Sequence, residues 1–288
     1  MANLKSDINA ESGYHQAGKI VKAHYENFPV ASILLPAGIR KHIAVVYWFT
    51  RTADDFADEG NFSVNQRLEK LQGLENRFRS LLNNQCINHL ECALQNTINT
   101  KKINPKYFFN LLKAFKQDVT KNRYEDFDEV LDYCSNSANP VGRIILELFN
   151  IRNERAFYFS DKICTALQLT NFIQDTLFDF RKGRIYYPKD EIEKFGVTEK
   201  MFEMSKNNLN LKQLVEFSVD RVQFLFNEGK GLLEFLSGKF RYEIDWTIRG
   251  GEEILNKIRG ADFDILSKRG SLTKIDYLKL FIKSFIKH

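Results

Sequence analysis

The chain is short of helix breakers: of its 288 residues only five are proline, and none lies beyond Pro188. The last hundred residues therefore carry no proline kink, and long helices are allowed there. Cysteine is scarce too. Cys86, Cys92, Cys134 and Cys164 form no CxxC pair and sit in apolar or helix-like stretches, which predicts reduced, buried thiols and no sulfur-ligated metal. No run approaches the roughly 18–20 uncharged apolar residues of a membrane-spanning helix, and the opening MANLKSDINAESGYHQ lacks the apolar core of a signal peptide. These absences predict a cytoplasmic protein, soluble or peripheral at the inner membrane. Neither sign of charge dominates: 42 basic and 37 acidic residues leave a net +5, well interspersed. That excludes a nucleic-acid partner and leaves an anionic ligand or a membrane surface open. Nucleotide signatures are missing as well. GLLEFLSGKF has the wrong glycine spacing and no Ser or Thr after its Lys, and no GxGxxG is present.

What the chain has in quantity is apolar and aromatic side chains, 43% hydrophobic with 25 Phe, 11 Tyr and 2 Trp. Apolar residues recur at spacings of three and four, while alternating strand-like runs are rare, so the fold class is all-α. The pattern places helices near 13–25, 38–58, 64–83, 88–99, 105–120, 126–150, 154–181, 209–237, 243–260 and 273–286. Ser63 with Gln66 reads as a capping box, and Pro105 after Asn104 as a helix start. No Pro-, Gly- or Ser-rich linker divides the chain, which predicts one helical domain over 1–288. In KIDYLKLFIKSFIKH, Ile275, Leu278, Ile282 and Phe285 share a stripe among lysines. That stripe fits either a helix completing the core or one resting on a membrane.

Two segments carry chemistry. The apolar IAVVYWF turns abruptly into RTADDFADEG. Asp54 and Asp58, four apart, share a helix face with their Cβ atoms about 5–6 Å apart, and Tyr47 and Arg51 precede them on the same stripe. Alone, this pair could be a solvated helix end. In TALQLTNFIQDTLFDFRKGRIYYP, Asn171, Asp175 and Asp179 follow at steps of four, drifting only about 40° per step. Gln168 joins that polar stripe, while Leu167, Phe172, Ile173 and Leu177 take other faces. Polar stripes on apolar helices call for a ligand or a metal.

The usual di-iron pattern is excluded, since none of His15, His24, His42, His89 and His288 has a Glu three residues before it, and zinc is poorly served because HExxH and CxxC are absent. Oxygen donors without His or Cys point to Mg²⁺, which takes one or two carboxylates and completes its shell with substrate phosphates. Arg181, Lys182 and Arg184 follow the second stripe. They either close on a diphosphate or serve as cations favoured at a helix C-terminus. Aromatic walls beside a magnesium-bound diphosphate suit an isoprenoid substrate, whose carbocation the ring faces would steer.

At this point RTADDFADEG and LQLTNFIQDTLFDFRKGRIYYP resemble the DxxxD and NxxxDxxxD motifs of the squalene and phytoene synthase family, over roughly residues 18–260. ENFPVASILLP, YCSNSANPVGRIIL and NFIQD with KGRIYYP look most like its hydroxysqualene synthase branch, which serves bacterial squalene and hopanoid formation. The resemblance implies a single-domain, all-α isoprenoid synthase bundle with a central cavity. It also implies that Asp54, Asp58, Asn171, Asp175 and Asp179 hold Mg²⁺ or the diphosphate. Arg51, Tyr47, Gln168 and Arg184 would then meet substrate, and Tyr133 would steer a carbocation or assist proton transfer. Pro140 and Gly142 interrupt the helix beside Tyr133 and open room there.

Two positions depart from the family pattern. Gln174 stands where many phytoene and dehydrosqualene synthases have Arg, and Asn27-Phe28 replaces their Ser-Phe. The first departure counts against condensing two farnesyl diphosphates and fits an enzyme that begins at presqualene diphosphate. The implied reaction is capture of the rearranged cation by water, giving hydroxysqualene and diphosphate without NADPH. Its neighbours would be a presqualene diphosphate synthase before it and a hydroxysqualene reductase after it. The competing readings are a presqualene diphosphate, squalene or phytoene synthase and, in another class, a non-catalytic assembly factor of the same fold. Intact acid motifs argue against the last.

Overall fold

A computed structural model of the chain describes residues 8–23, 35–204, 208–267 and 270. Among these, all regular structure is helical, as the spacing of apolar residues predicts. The predicted helix over 273–286, the Asn27-Phe28 position and most of ENFPVASILLP lie outside the described residues. The chain divides into two compact units, residues 1–120 with 143–152 and residues 121–142 with 153–288.

The first unit is built around α2 (Ala37–Asp58), which packs on α1 (Ala10–Ala23), α3 (Val64–Leu82), α4 (His89–Lys101) and α5 (Lys106–Thr120). Its apolar run explains this central place: Ile43, Ala44, Val45, Val46 and Phe49 are all buried. Phe49 meets Phe78 of α3 and Phe108 of α5 with ring centroids 5.2 and 5.3 Å apart, an aromatic triangle that fixes α2 against both neighbours. The Ser63–Gln66 capping box is present. The Asn104 side chain accepts from the Lys106 N–H at 3.0 Å to open α5. Gly13 of α1 lies against the His89 carbonyl, where a Cβ would come within 2.0 Å of the oxygen; only glycine allows α1 to approach α4 so closely.

The cysteines correct one expectation. Cys86 and Cys92 are joined by a disulfide, with Cα atoms 5.5 Å apart, while Cys134 and Cys164 take part in no disulfide. The loop between α3 and α4 folds back on itself, with Asn84 at φ 62°. Glu91 holds it there, accepting from the Ile87 N–H and from Arg77. Spacing along the chain did not reveal that turn. Burial, and secondarily Cys164, pushes the Cys134 thiol up to about 12.

In the second unit α8 (Glu154–Gln174) is the central element, packed on α6 (Phe127–Ser137), α12 (Leu209–Gly229), α13 (Gly238–Gly260) and the 3-10 helix Lys230–Phe235. The predicted helix over 126–150 is two helices, α6 and α7 (Asn139–Leu148), parted at Ala138. Pro140 supplies the reason, since it has no N–H to give and its ring disfavours a continuous helix. Residues 209–237 likewise divide, α12 giving way to the 3-10 helix, and α13 starts earlier than its apolar pattern indicates. Two short helices escaped prediction: α10 (Lys189–Lys194), which Pro188 opens, and α11 (Glu199–Phe202). Among the described residues no helix is long and apolar enough to cross a membrane.

A buried polar knot ties α1, α2 and α4 together. His42 Nδ1 lies 2.8 Å from Thr97 Oγ1 and 3.3 Å from the Tyr14 hydroxyl, which itself meets Thr97 at 2.9 Å. Burial, reinforced by Lys101 and Lys41, lowers His42 from 6.5 to about 4. The unfolded chain therefore binds this proton more readily, so stability is complete above the unfolded value and is lost as pH falls from 6.5 toward 4. Denaturant titrations should show a loss approaching about 3 kcal/mol over that window. His42→Gln should flatten the profile.

Candidate functional site

The first acid motif occupies the last two turns of α2, where Tyr47, Arg51, Asp54 and Asp58 are all half-buried. The helical repeat puts them on one stripe, and the Phe49 triangle anchors the helix behind them. Arg51 is the hub of this stripe: its Nε meets Asp55 at 2.7 Å, its Nη1 meets Asp54 at 3.3 Å, and its Nη2 pairs with Glu59. Burial works against the Arg51 charge, but Asp55, Asp54 and Glu59 outweigh it and hold the guanidinium above its ordinary value. Asp54 feels the opposite balance. Burial pushes its carboxyl up, Arg51 pulls it down, and repulsion from Asp58 leaves the net upward. Asp55 and Glu59, which sequence reasoning did not single out, thus occupy the guanidinium assigned to substrate. Their signal was legible: they follow Arg51 by four and eight residues on a helix.

The second motif spans the end of α8 and the start of α9 (Thr176–Arg181). The predicted helix over 154–181 is broken at Asp175, whose ψ is 13°. The break is slight. The Asp175 N–H still donates to the Asn171 carbonyl and the Asp179 N–H to that of Asp175, both at 2.8 Å. Asn171, Asp175 and Asp179 therefore keep the spacing of one helix through the bend. Its cause is Thr176, whose buried hydroxyl sits 3.0 Å from the Phe172 carbonyl and 2.9 Å from that of Ile173, the back-bonding that bends helices. Tyr187 adds its hydroxyl at 3.1 Å from that of Thr176. Desolvation raises the Tyr187 phenol further above its usual range.

Asn171 is exposed, while Gln168, Asp175 and Asp179 are half-buried. Arg184 follows a turn in which Gly183 takes φ 79°, and its N–H donates to the Asp179 carbonyl at 2.8 Å. The backbone thereby returns Arg184 to the motif's end, whereas Arg181 and Lys182 are exposed. Gln174 donates its amide to the Gly270 carbonyl. Tyr133 is buried on α6. Its ring centroid lies 5.9 Å from those of both Phe172 and Tyr186, and the latter two stack at 3.6 Å and 4°. The Phe172–Tyr186 plate is a second feature that periodicity did not disclose, because Tyr186 lies in the loop after α9.

The donors fit a hard divalent cation in kind. They are carboxylate and amide oxygens, and the net upward push on the half-buried Asp54 is a stress that a cation would relieve. Among the described residues no three His, Cys, Asp or Glu side chains are grouped closely enough to hold a metal ion.

An all-α chain with two helix-borne acid motifs of this spacing falls in the class of isoprenoid synthases, and comparison with known proteins narrows it. The family model for squalene/phytoene synthase matches residues 21–276. A hydroxysqualene synthase of Sinorhizobium fredii is 31% identical over 82% of this chain and 80% of its own length. One from Zymomonas mobilis is 35% identical over 72% and 69%. The crystal structure of a squalene synthase from Alicyclobacillus acidocaldarius superposes with a TM-score of 0.83 at 32% identity, covering 88% of this chain and 95% of that one. A dehydrosqualene synthase, at TM-score 0.86 and 22% identity, shares the fold. The chain belongs to the squalene/phytoene synthase family and is a prenyl diphosphate enzyme.

Thr176→Val should remove the hydroxyl that bends the motif and that meets the buried Tyr187 phenol. Urea denaturation should report a loss of about 1–3 kcal/mol.

Proposed function

We propose that the protein is a hydroxysqualene synthase, converting presqualene diphosphate and water to hydroxysqualene and diphosphate. The observation that carries this reading is the combination of both acid motifs with Gln174, whose amide is engaged with the Gly270 carbonyl where many condensing relatives have Arg. The similarity to hydroxysqualene synthases over most of the chain supports it.

In this reading Asp54 and Asp58 on one helix, and Asn171, Asp175 and Asp179 across the α8–α9 bend, hold Mg²⁺ and through it the diphosphate. The cation would supply Lewis-acid neutralisation of the leaving group. Arg51 exchanges Asp55 and Glu59 for diphosphate oxygens, a switch open to a half-buried guanidinium that already shares three carboxylates. Arg184, tied by its backbone to Asp179, adds a second cation, and Gln168 and Tyr47 face the substrate from the same two stripes. Tyr133 presents a buried ring, backed by Phe172 and Tyr186, to the allylic cation. In this reading the protein would act after a presqualene diphosphate synthase and before a reductase that removes the hydroxyl, in bacterial squalene and hopanoid formation.

Two assays separate this reading from head-to-head condensation. Supplied with Mg²⁺ and no NADPH, presqualene diphosphate should yield the C30 alcohol, and farnesyl diphosphate alone should yield no C30 product. A C30 product from farnesyl diphosphate alone would establish a condensing synthase instead. Asp58→Asn and Asp175→Asn should each lower turnover by more than about 100-fold with unchanged helicity by circular dichroism, since removing a repelling charge does not unsettle the fold. Near-normal turnover in either variant would place the metal elsewhere.

A further inference from the structure

Within the second unit, a cavity of ≈ 30 Å³ lies among α6, α8, α10, α12 and the Tyr186–Pro188 loop. Apolar side chains such as Val130, Leu169, Ile173 and Val222 line most of it, and Glu191, Ser218 and Arg221 supply its polar groups. Glu191 is 7% exposed. One of its carboxylate oxygens, Oε1, pairs with Arg221, whose guanidinium lies 3.7 Å over the Phe127 ring. The other, Oε2, is buried without a hydrogen bond. A buried carboxylate oxygen demands a donor, and the cavity is large enough for one or two waters and too small for a prenyl chain. Ser218 spends its proton on the Leu214 carbonyl at 2.8 Å, leaving its oxygen able to accept. A water there can thus donate to Glu191 and Ser218 and accept from Arg221. Arg221, 21% exposed, offers the exchange path to solvent.

Two of the cavity's lining residues, Phe172 and Tyr186, are the stacked plate that also touches Tyr133. We infer that this cavity stores the water that captures the carbocation, with the Phe172–Tyr186 plate as the partition between store and cation. The inference rests on the reading given under Proposed function. In the capture step the carbon–oxygen bond to diphosphate breaks with both electrons leaving on the diphosphate. The cyclopropylcarbinyl cation rearranges and its ring carbon–carbon bond opens to an alkene as a lone pair of the stored water forms the new carbon–oxygen bond, and the surplus proton passes to the released diphosphate. The role of Glu191 and Ser218 is to position that water, and no proton transfer is asked of them.

The test is product partition from presqualene diphosphate with Mg²⁺, comparing wild type with Ser218→Leu, which fills the cavity. The readout is the ratio of C30 alcohol to C30 hydrocarbon formed by proton loss, per diphosphate released; a merely destabilised enzyme would leave this ratio unchanged. The ratio should fall roughly tenfold, and a high-resolution crystal structure of the wild-type protein should show an ordered water on Glu191 Oε2. An unchanged ratio in folded Ser218→Leu would overturn the inference and leave the functional reading standing. If that variant does not fold, absence of the water in the wild-type crystal structure would overturn it equally. Failure of the wild type to form any alcohol would instead overturn the functional reading, and this inference with it.

Discussion

Carboxylates placed four residues apart on a half-buried helix repel each other, and burial raises the cost of keeping them charged. On α2 that stress is met within the chain: Arg51 pairs with Asp55, Asp54 and Glu59 at once, and Asp54 is still pushed above its ordinary value. The acid stripe is held in place because the apolar half of α2 is locked by Phe49, Phe78 and Phe108. The acid stripe and the aromatic core are one device: rigidity on one face sustains electrostatic tension on the other.

Helix α8 meets a comparable demand differently. It is buried on several faces, so its polar stripe lies beside residues that form the wall of the second unit. Asn171 and Phe172 are neighbours in sequence, one exposed and one buried in a ring stack. The slight bend at Thr176 keeps Asn171, Asp175 and Asp179 in helical spacing while releasing the chain into the Gly183 turn that returns Arg184 to the motif. The polar stripe and the buried ring stack thereby occupy adjacent faces of a single helix.

Much of this was legible without coordinates, because it rests on period. The all-α class, the Ser63–Gln66 cap and both acid stripes follow from spacings of three and four. What was missed depends on contacts between residues far apart or in loops. The Cys86–Cys92 pairing needs the turn at Asn84, and the Phe172–Tyr186 stack needs the loop after α9. The Glu191–Arg221 pair joins positions thirty apart. Of the predicted helices that proved to be broken, two break for local reasons, at Ala138 before Pro140 and at Asp175 before a back-bonding threonine. The first cause is visible in sequence. The second is not, since threonine inside a helix as often points its hydroxyl elsewhere.

Under the proposed function, the α2 stripe and the α8–α9 stripe would each contribute carboxylates to Mg²⁺-dependent diphosphate binding. Calorimetric titration of a non-ionisable prenyl thiodiphosphate, with and without Mg²⁺, measures this apart from turnover. Binding should depend on Mg²⁺ and should weaken by more than about tenfold, roughly 1.4 kcal/mol, in Asp54→Asn and in Asp175→Asn alike. Binding that persists without Mg²⁺, or that only one of the two substitutions weakens, would contradict the account.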